Sequence, residues 1–277
     1  MGWHARLALH YECQPPARTV ARFRHEGPLH ILQSLYPEGE AVCHNVLVHP
    51  PSGLVAGDRL EIEVQVDPGA HGVVTTPGAT RFYRSEGQTA TQCARLRVAE
   101  GGRLEWLPME ALYYSGCLAE NHLLLDLAAG AEALAWDVTA LGLPASGQPF
   151  VSGELLQHLA LEGVWLERAR IAATDTRLMD GPLGLAGQRC MATLCLAAGQ
   201  DLDRERRELA LTLAHDVIEA HPLRTQAGVT SPHAQVVVVR VLAPLVEPAM
   251  DLLKAVRAAW RPALWGRAPH PPRVWAL

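Results

Sequence analysis

Between Tyr36 and Arg84 the chain reads YPEGEAVCHNVLVHPPSGLVAGDRLEIEVQVDPGAHGVVTTPGATRFYR, short β-branched runs separated by Gly and Pro. This punctuation specifies consecutive strands joined by tight turns. The clearest strand is RLEIEVQVD, in which Leu60, Ile62, Val64 and Val66 take the inward phase and Glu61, Glu63 and Gln65 the outward one. Ahead of it, PPSGLVAGD turns the chain, with Gly53 and Gly57 supplying backbone angles that other residues resist. No Gly-Lys-Ser/Thr follows, so this is not a phosphate loop. Asp58 stands at the loop-to-strand junction, where a carboxylate either caps backbone N–H groups or faces a cavity.

The same texture continues on both sides. Trp3–Glu12 and Arg18–Phe23 read as strands around Pro15 and Pro16, and Pro28 and Pro37 bracket another. From Val42 to His49 the side chains alternate, so Cys43 and His44 point to opposite faces and do not chelate one ion readily. Thr75, Thr76, Thr80, Arg81, Tyr83 and Arg84 form a polar-aromatic patch, either a plain strand edge or a partner surface rich in Arg and Tyr. Further strands follow at Thr89–Val98, Leu104–Leu107 (ended by Pro108), Leu123–Leu127 and Ala133–Leu141, with a hairpin turning at Glu162-Gly163. Cys190 and Cys195 differ by an odd number and therefore face opposite sides of one strand.

Helical spacing appears only late. Asp201–His221 carries Leu202, Leu209, Leu213, Val217 and Ala220 on one stripe, with Asp201 or Asp203 as cap and Pro222 as stop. A second helix is predicted from Pro248 to Trp260, aligned on Leu253, Val256 and Trp260 and ended by Pro262. QVVVVRVL (Gln235–Leu242) between them is a buried strand, and the Pro-rich tail is expected to lie extended. The fold expected is mainly β, as β-solenoid-like stacked sheets with two helices in the C-terminal half. One domain over 1–277 is expected, a β body to about 200 and a helix-strand-helix unit with tail beyond it.

Composition narrows function mainly by exclusion. The 277 residues carry a net charge of −5, unlike the dense basic patches that bind nucleic acid. Lys254 is the only lysine among 24 basic residues; the rest are Arg, the cation better suited to protein interfaces. The N-terminus lacks the apolar core of a secretion signal, and Asp126, Glu132 and Asp137 interrupt the most apolar region, so a cytoplasmic protein is expected. Six cysteines without a C-x-x-C pair suit reduced thiols. Thirteen histidines are dispersed, with no pair at ligand-like spacing in one element. There is no G-x-S-x-G, H-E-x-x-H, Walker A or G-x-G-x-x-G sequence. Glu105 and Glu110 are close enough in sequence to raise an acid/base pair of the glycosidase type, without a third catalytic signal beside them.

Several segments are specific enough to name a family. YPEG with AVCH (36–44), HPPSGLVAGDRL (49–60), GAHGVVTTPGATRFYRS (69–85) and LEWLPME (104–110) occur in order, followed by Trp136-Asp137, Glu167-Arg168, the Gly181–Ala197 turn and strand, and the terminal Trp-Arg and Pro-Arg-x-Trp elements. Together they resemble the urease accessory protein UreD family, also called UreH. Met109 replaces that family's usual Gln, Asp137 its usual Glu, Ala56 its common Gly, and Leu143 falls where the pattern departs.

The resemblance implies a β-solenoid-like body that binds the accessory protein UreF, recruits the UreG GTPase through it, and docks on apo-urease. It also implies that nickel passes through a hydrated channel as cargo, with no permanent cofactor. On matching motifs, Asp58, Glu105, Glu110, Asp137 and Glu167 are expected to line that passage; spaced oxygens suit transit where a His/Cys cage would trap the ion. Arg81, Tyr83, Arg84, Trp260, Arg261, Arg273 and Trp275 are the expected partner contacts. Two other readings are a carbohydrate-active β-solenoid enzyme and a β interaction module without a metal role.

Overall fold

The computed structural model describes residues 2–51 and 53–276; Ser52, inside the HPPSGLVAGDRL motif, lies outside the described residues. The strands follow the Gly/Pro punctuation: β1 (His4–Gln14), β2 (Arg18–Glu26), β3 (His30–Leu35), β4 (Cys43–Val48), β5 (Arg59–Val66), β6 (His71–Thr75) and β7 (Thr80–Phe82). They continue as β8 (Ala90–Val98), β9 (Arg103–Leu107), β10 (Ala111–Tyr113), β11 (Leu118–Leu127), β12 (Glu132–Leu141), β13 (Glu154–Leu161) and β14 (Trp165–Ala172). A short α1 (Thr176–Asp180) precedes β15 (Cys190–Ala198), and α2 (Arg204–Glu219), β16 (Ala227–His233), β17 (Val236–Ala243) and α3 (Val246–Trp265) complete the chain.

From β4 to β13 the chain winds as a coil, giving alternate strands to two sheets. In the first sheet β5, β8, β11 and β13 run parallel, with Arg59 opposite Thr91, Thr91 opposite Glu120 and Glu120 opposite Leu156 on successive circuits. In the second, β4, β6, β9 and β12 run parallel, and β7 and β10 form a short third side against the end of β12. The expected solenoid-like stacking of a mainly β chain is therefore the observed one. β1 adds one more parallel strand beside β5, and antiparallel strands extend both sheets: β2 and β14 in the seven-stranded one, and β3, β15, β17 and β16 in the ten-stranded one.

The period-2 alternation sends each strand's apolar phase between the sheets, where Leu60, Ile62, Val64, Val66, Leu96, Leu104, Trp106, Leu123 and Leu155 are buried. The second sheet is apolar on both faces. Its outer face, with Leu134, Trp136, Val138, Leu194 and Val239, packs against α2 and α3 in a second core. Cys195 belongs to the first core and Cys190 to the second, as their odd spacing requires. Six free cysteines are present among the described residues, five of them buried.

Several expectations need correction. Asp203 caps α2, accepting from the Arg206 N–H at 2.7 Å, but the buried line is Ala210, Ala214 and Ile218, while Leu209 is exposed. Small residues are required there because Trp260 crosses the helix and donates its indole N–H to the Ala210 carbonyl at 2.8 Å. Helix α3 starts before Pro248 and runs through Pro262 to Trp265, where Gly266 closes it in the left-handed region. Buried Arg261 and Trp265 hold the last turn to the sheet, so tertiary contacts outweigh the hydrogen bond lost at Pro262. Strand β16 and helix α1 have no counterpart in the sequence reading, since neither shows the required periodicity. Gly57 has the expected positive φ (81°). Gly53 is needed for a different reason: a Cβ there would lie 2.1 Å from the Tyr83 ring.

Candidate functional site

The inner face of the seven-stranded sheet is apolar except along one row. Gln92 on β8, Asn121 on β11 and Gln157 on β13 stand in register across three parallel strands, each at a phase otherwise occupied by core residues. Gln92 donates to the Asn121 carboxamide oxygen at 3.2 Å. Across the gap, β12 presents Asp137 and Thr139. Asp137 accepts from Asn121 at 2.6 Å, from Gln157 at 2.5 Å and from the Thr139 hydroxyl at 3.1 Å. Thr193 follows in register on β15 and Arg240 on β17, and Arg240 pairs with Glu167 on β14. A polar seam therefore crosses the strands inside an apolar sandwich.

Burial pushes the Asp137 carboxyl up to about 6, and three hydrogen bonds offset this only in part, while the nearby Glu167 charge raises it further. Burial also raises Glu167, against the pull of Arg240. Two buried polar atoms at the seam, the Gln157 carboxamide oxygen and the Tyr113 hydroxyl, have no protein partner; such groups call for water. Elsewhere along the seam a cavity of about 20 Å³, walled by Thr80, Gln92, Asn121 and Asp137, has room for one water molecule. Thr80 and Gln92 also line a larger pocket of about 210 Å³ with His49, Thr76 and Arg81.

Of the five acids expected to line a passage, Asp137 and Glu167 are at this seam. Asp58 is not beside them. It is buried and accepts from the backbone N–H groups of Trp3 (2.8 Å) and Val55 (2.9 Å), which staples the N-terminus to the loop before β5. Glu110 lines a separate cavity of about 180 Å³ with Cys190 and Glu247, one of its carboxylate oxygens buried without a partner.

Glu105 takes the opposite phase of its strand from Leu104 and Trp106, facing α3, where it is fully buried. It pairs with Arg257 at 2.7 Å, Arg261 at 3.1 Å and His71 at 3.1 Å. Burial alone would raise its carboxyl; the two guanidinium groups and His71 outweigh that and hold it below the usual range. Glu38 completes the cluster through Arg261 (2.9 Å) and His44 (2.7 Å), hydrogen bonds that outweigh its own burial and bring it to about 2. Glu105 is thus a helix clamp, and with Glu110 in a different cavity the two do not form an acid/base pair.

The expected partner contacts also divide. Trp260 and Arg261 are both 0% exposed, which removes them as contact residues: their face of α3 is spent on α2 and the Glu105 cluster. Arg84 and Arg273 are exposed, while Arg81, Tyr83 and Trp275 are half-buried. The tail folds back, with the Trp275 ring stacked 5.2 Å from Trp136 and its N–H given to Thr75 at 2.9 Å. Sequence reasoning missed Gln92, Asn121, Thr139 and Gln157. Their signal was present, because each is a polar residue at an inward phase of an alternating strand.

The donors at the seam are oxygens of carboxylate, carboxamide and hydroxyl groups. Among the described residues no three His, Cys, Asp or Glu side chains converge as a metal-holding group, and no helix is long and apolar enough to cross a membrane. Fold and site define a two-sheet, β-solenoid-like protein with a polar seam in its interior and two helices across its back. The family model for the UreD urease accessory protein matches residues 4–276, and the chain belongs to that family. It is 64% identical to the urease accessory protein UreD of Paracidovorax citrulli and 62% to that of Polaromonas naphthalenivorans, each over 100% of both chains. The Leptothrix cholodnii protein of the same name is 54% identical over 99% of both chains. A role in urease maturation follows from that membership.

Proposed function

We propose that this chain is a scaffold that passes nickel to apo-urease, working in the cytoplasm with UreF and, through UreF, the UreG GTPase, and that the ion moves along the polar seam. The observation that carries this reading is the in-register row of Gln92, Asn121 and Gln157 facing Asp137, with a polar pocket at one end and Glu167 at the other. A buried polar row costs stability relative to an apolar one wherever its hydrogen bonding is incomplete, and a role in transit accounts for keeping it. A hydrated cation would exchange some of its waters for these oxygens, and the lack of a converging ligand group lets it leave again. Asp137 and Glu167 supply the charge; Ni²⁺ is cargo, and no resident cofactor is required. The exposed corner with Arg84, beside half-buried Arg81 and Tyr83, adjoins the pocket at the seam's end and suits docking, as does Arg273.

The test is co-purification of the chain with the accessory proteins and apo-urease, followed by nickel content per urease active site. Asp137→Asn and Gln157→Leu are expected to lower incorporation several-fold with complex assembly unchanged. Full nickel loading in both variants would remove the seam from the transfer route.

A further inference from the structure

His122 on β11 and His158 on β13 are distant in sequence yet directly opposite one another in the parallel register. Both take the outward phase of the seven-stranded sheet, since their neighbours Asn121, Leu123, Gln157 and Leu159 are buried inside. The two ring centroids are 5.4 Å apart with 38° between the planes. At metal–nitrogen bonds of about 2.1 Å, two imidazoles sharing one ion place their ring centres about 4.5–5.5 Å apart. Side-chain rotation alone then suffices to aim both rings at one point.

We propose that His122 and His158 form a two-imidazole, solvent-facing docking site for a borderline divalent transition-metal ion of the Ni²⁺, Cu²⁺ or Zn²⁺ class. Imidazole nitrogen selects these ions over Mg²⁺ and Ca²⁺, which take oxygen ligands. Glu120 lies 3.2 Å from Nε2 of His122 and supplies the carboxylate that commonly orients a ligating ring. Among the described residues no hydrogen bond engages the His158 ring, so neither ring nitrogen is committed to a protein partner. Arg168, in register with His158 on β14, opposes a bound cation and Glu120 offsets it. Cys93 is next in the row on β8, but it is only 7% exposed and stands outside the solvent-facing pair. With two protein ligands and water completing the shell, the ion is held loosely and exchanges. The site stands on the opposite side of the sheet from Asp137 and does not depend on the passage reading.

The experiment is NMR on the full chain with labelled histidine, titrated with substoichiometric NiCl₂. The ring resonances of His122 and His158 are expected to broaden before those of other exposed histidines such as His25, with excess Mg²⁺ failing to compete. His158→Ala, and His158→Gln, which keeps a polar group at the position, are each expected to weaken the His122 response about tenfold or more, with thermal melting unchanged. Simultaneous broadening of all exposed histidines, or an unchanged His122 response in the well-folded variants, would overturn the site. Asp137→Asn leaves the His122 response intact, so loss of nickel transfer and loss of this site are read separately.

Discussion

At the scale of single residues, the most informative groups are polar side chains placed where their strand requires an apolar one. Asp137 has an ordinary value of 3.8 and a folded value near 6. The folded state therefore holds this proton more tightly than the unfolded chain, and its contribution to stability is present below about pH 4 and is lost as pH rises to about 6. Comparing wild type with Asp137→Asn in denaturant titrations across that window, the variant is expected to gain up to about 3 kcal/mol relative to wild type. Parallel stability curves would show that Asp137 does not carry the buried charge. Gln157 and Asn121 carried an inward-phase signal that the sequence reading passed over, and for Asp58 it left two roles open. Capping was the stronger of the two at a Gly-Asp junction, and the approach of the Trp3 and Val55 amides selects it.

At the scale of elements, α3 shows how a helix is held by charge as well as by apolar burial. Glu105 balances Arg257 and Arg261 in a site with no exposed surface. Glu105→Gln leaves the buried Arg257 guanidinium without its carboxylate, while Arg261 keeps Glu38, and a loss of about 3–5 kcal/mol is expected in chemical denaturation. A cost below about 1 kcal/mol would mean that water already reaches the cluster. Glu105 and Glu38 have depressed folded values. Their stabilisation is present above the ordinary value of 4.5 and is lost as pH falls toward 2, opposite in sign to that of Asp137. The helix itself was visible as the stripe of Leu253, Val256 and Trp260. Its end was not, because Pro262 signals a stop that buried Arg261 and Trp265 override. In α2 the Leu stripe was misleading, since the crossing Trp260 selects Ala210 and Ala214 for the closest approach.

For the whole molecule, the two-faced second sheet is the element on which both cores depend. Truncation after Ala198 would leave β15 as a bare edge and expose Leu134, Trp136, Val138, Leu194 and Leu196, which α2 and α3 now help cover. Such a chain is expected to aggregate, giving void-volume material in size exclusion. A soluble monomer with a cooperative melt would show that the β body stands without its helical layer. Strand identity, the late change to helical spacing and the membership of the UreD family were all readable from residues in order, because alternation, turn chemistry and motif are local properties of a chain. Which strands became neighbours was not readable. The coil brings Gln92, Asn121 and Gln157 into one row, His122 against His158, and Glu105 under two arginines from a distant helix. Those meetings depend on inter-strand register and layer packing, which join residues far apart in sequence and leave no trace in any single segment.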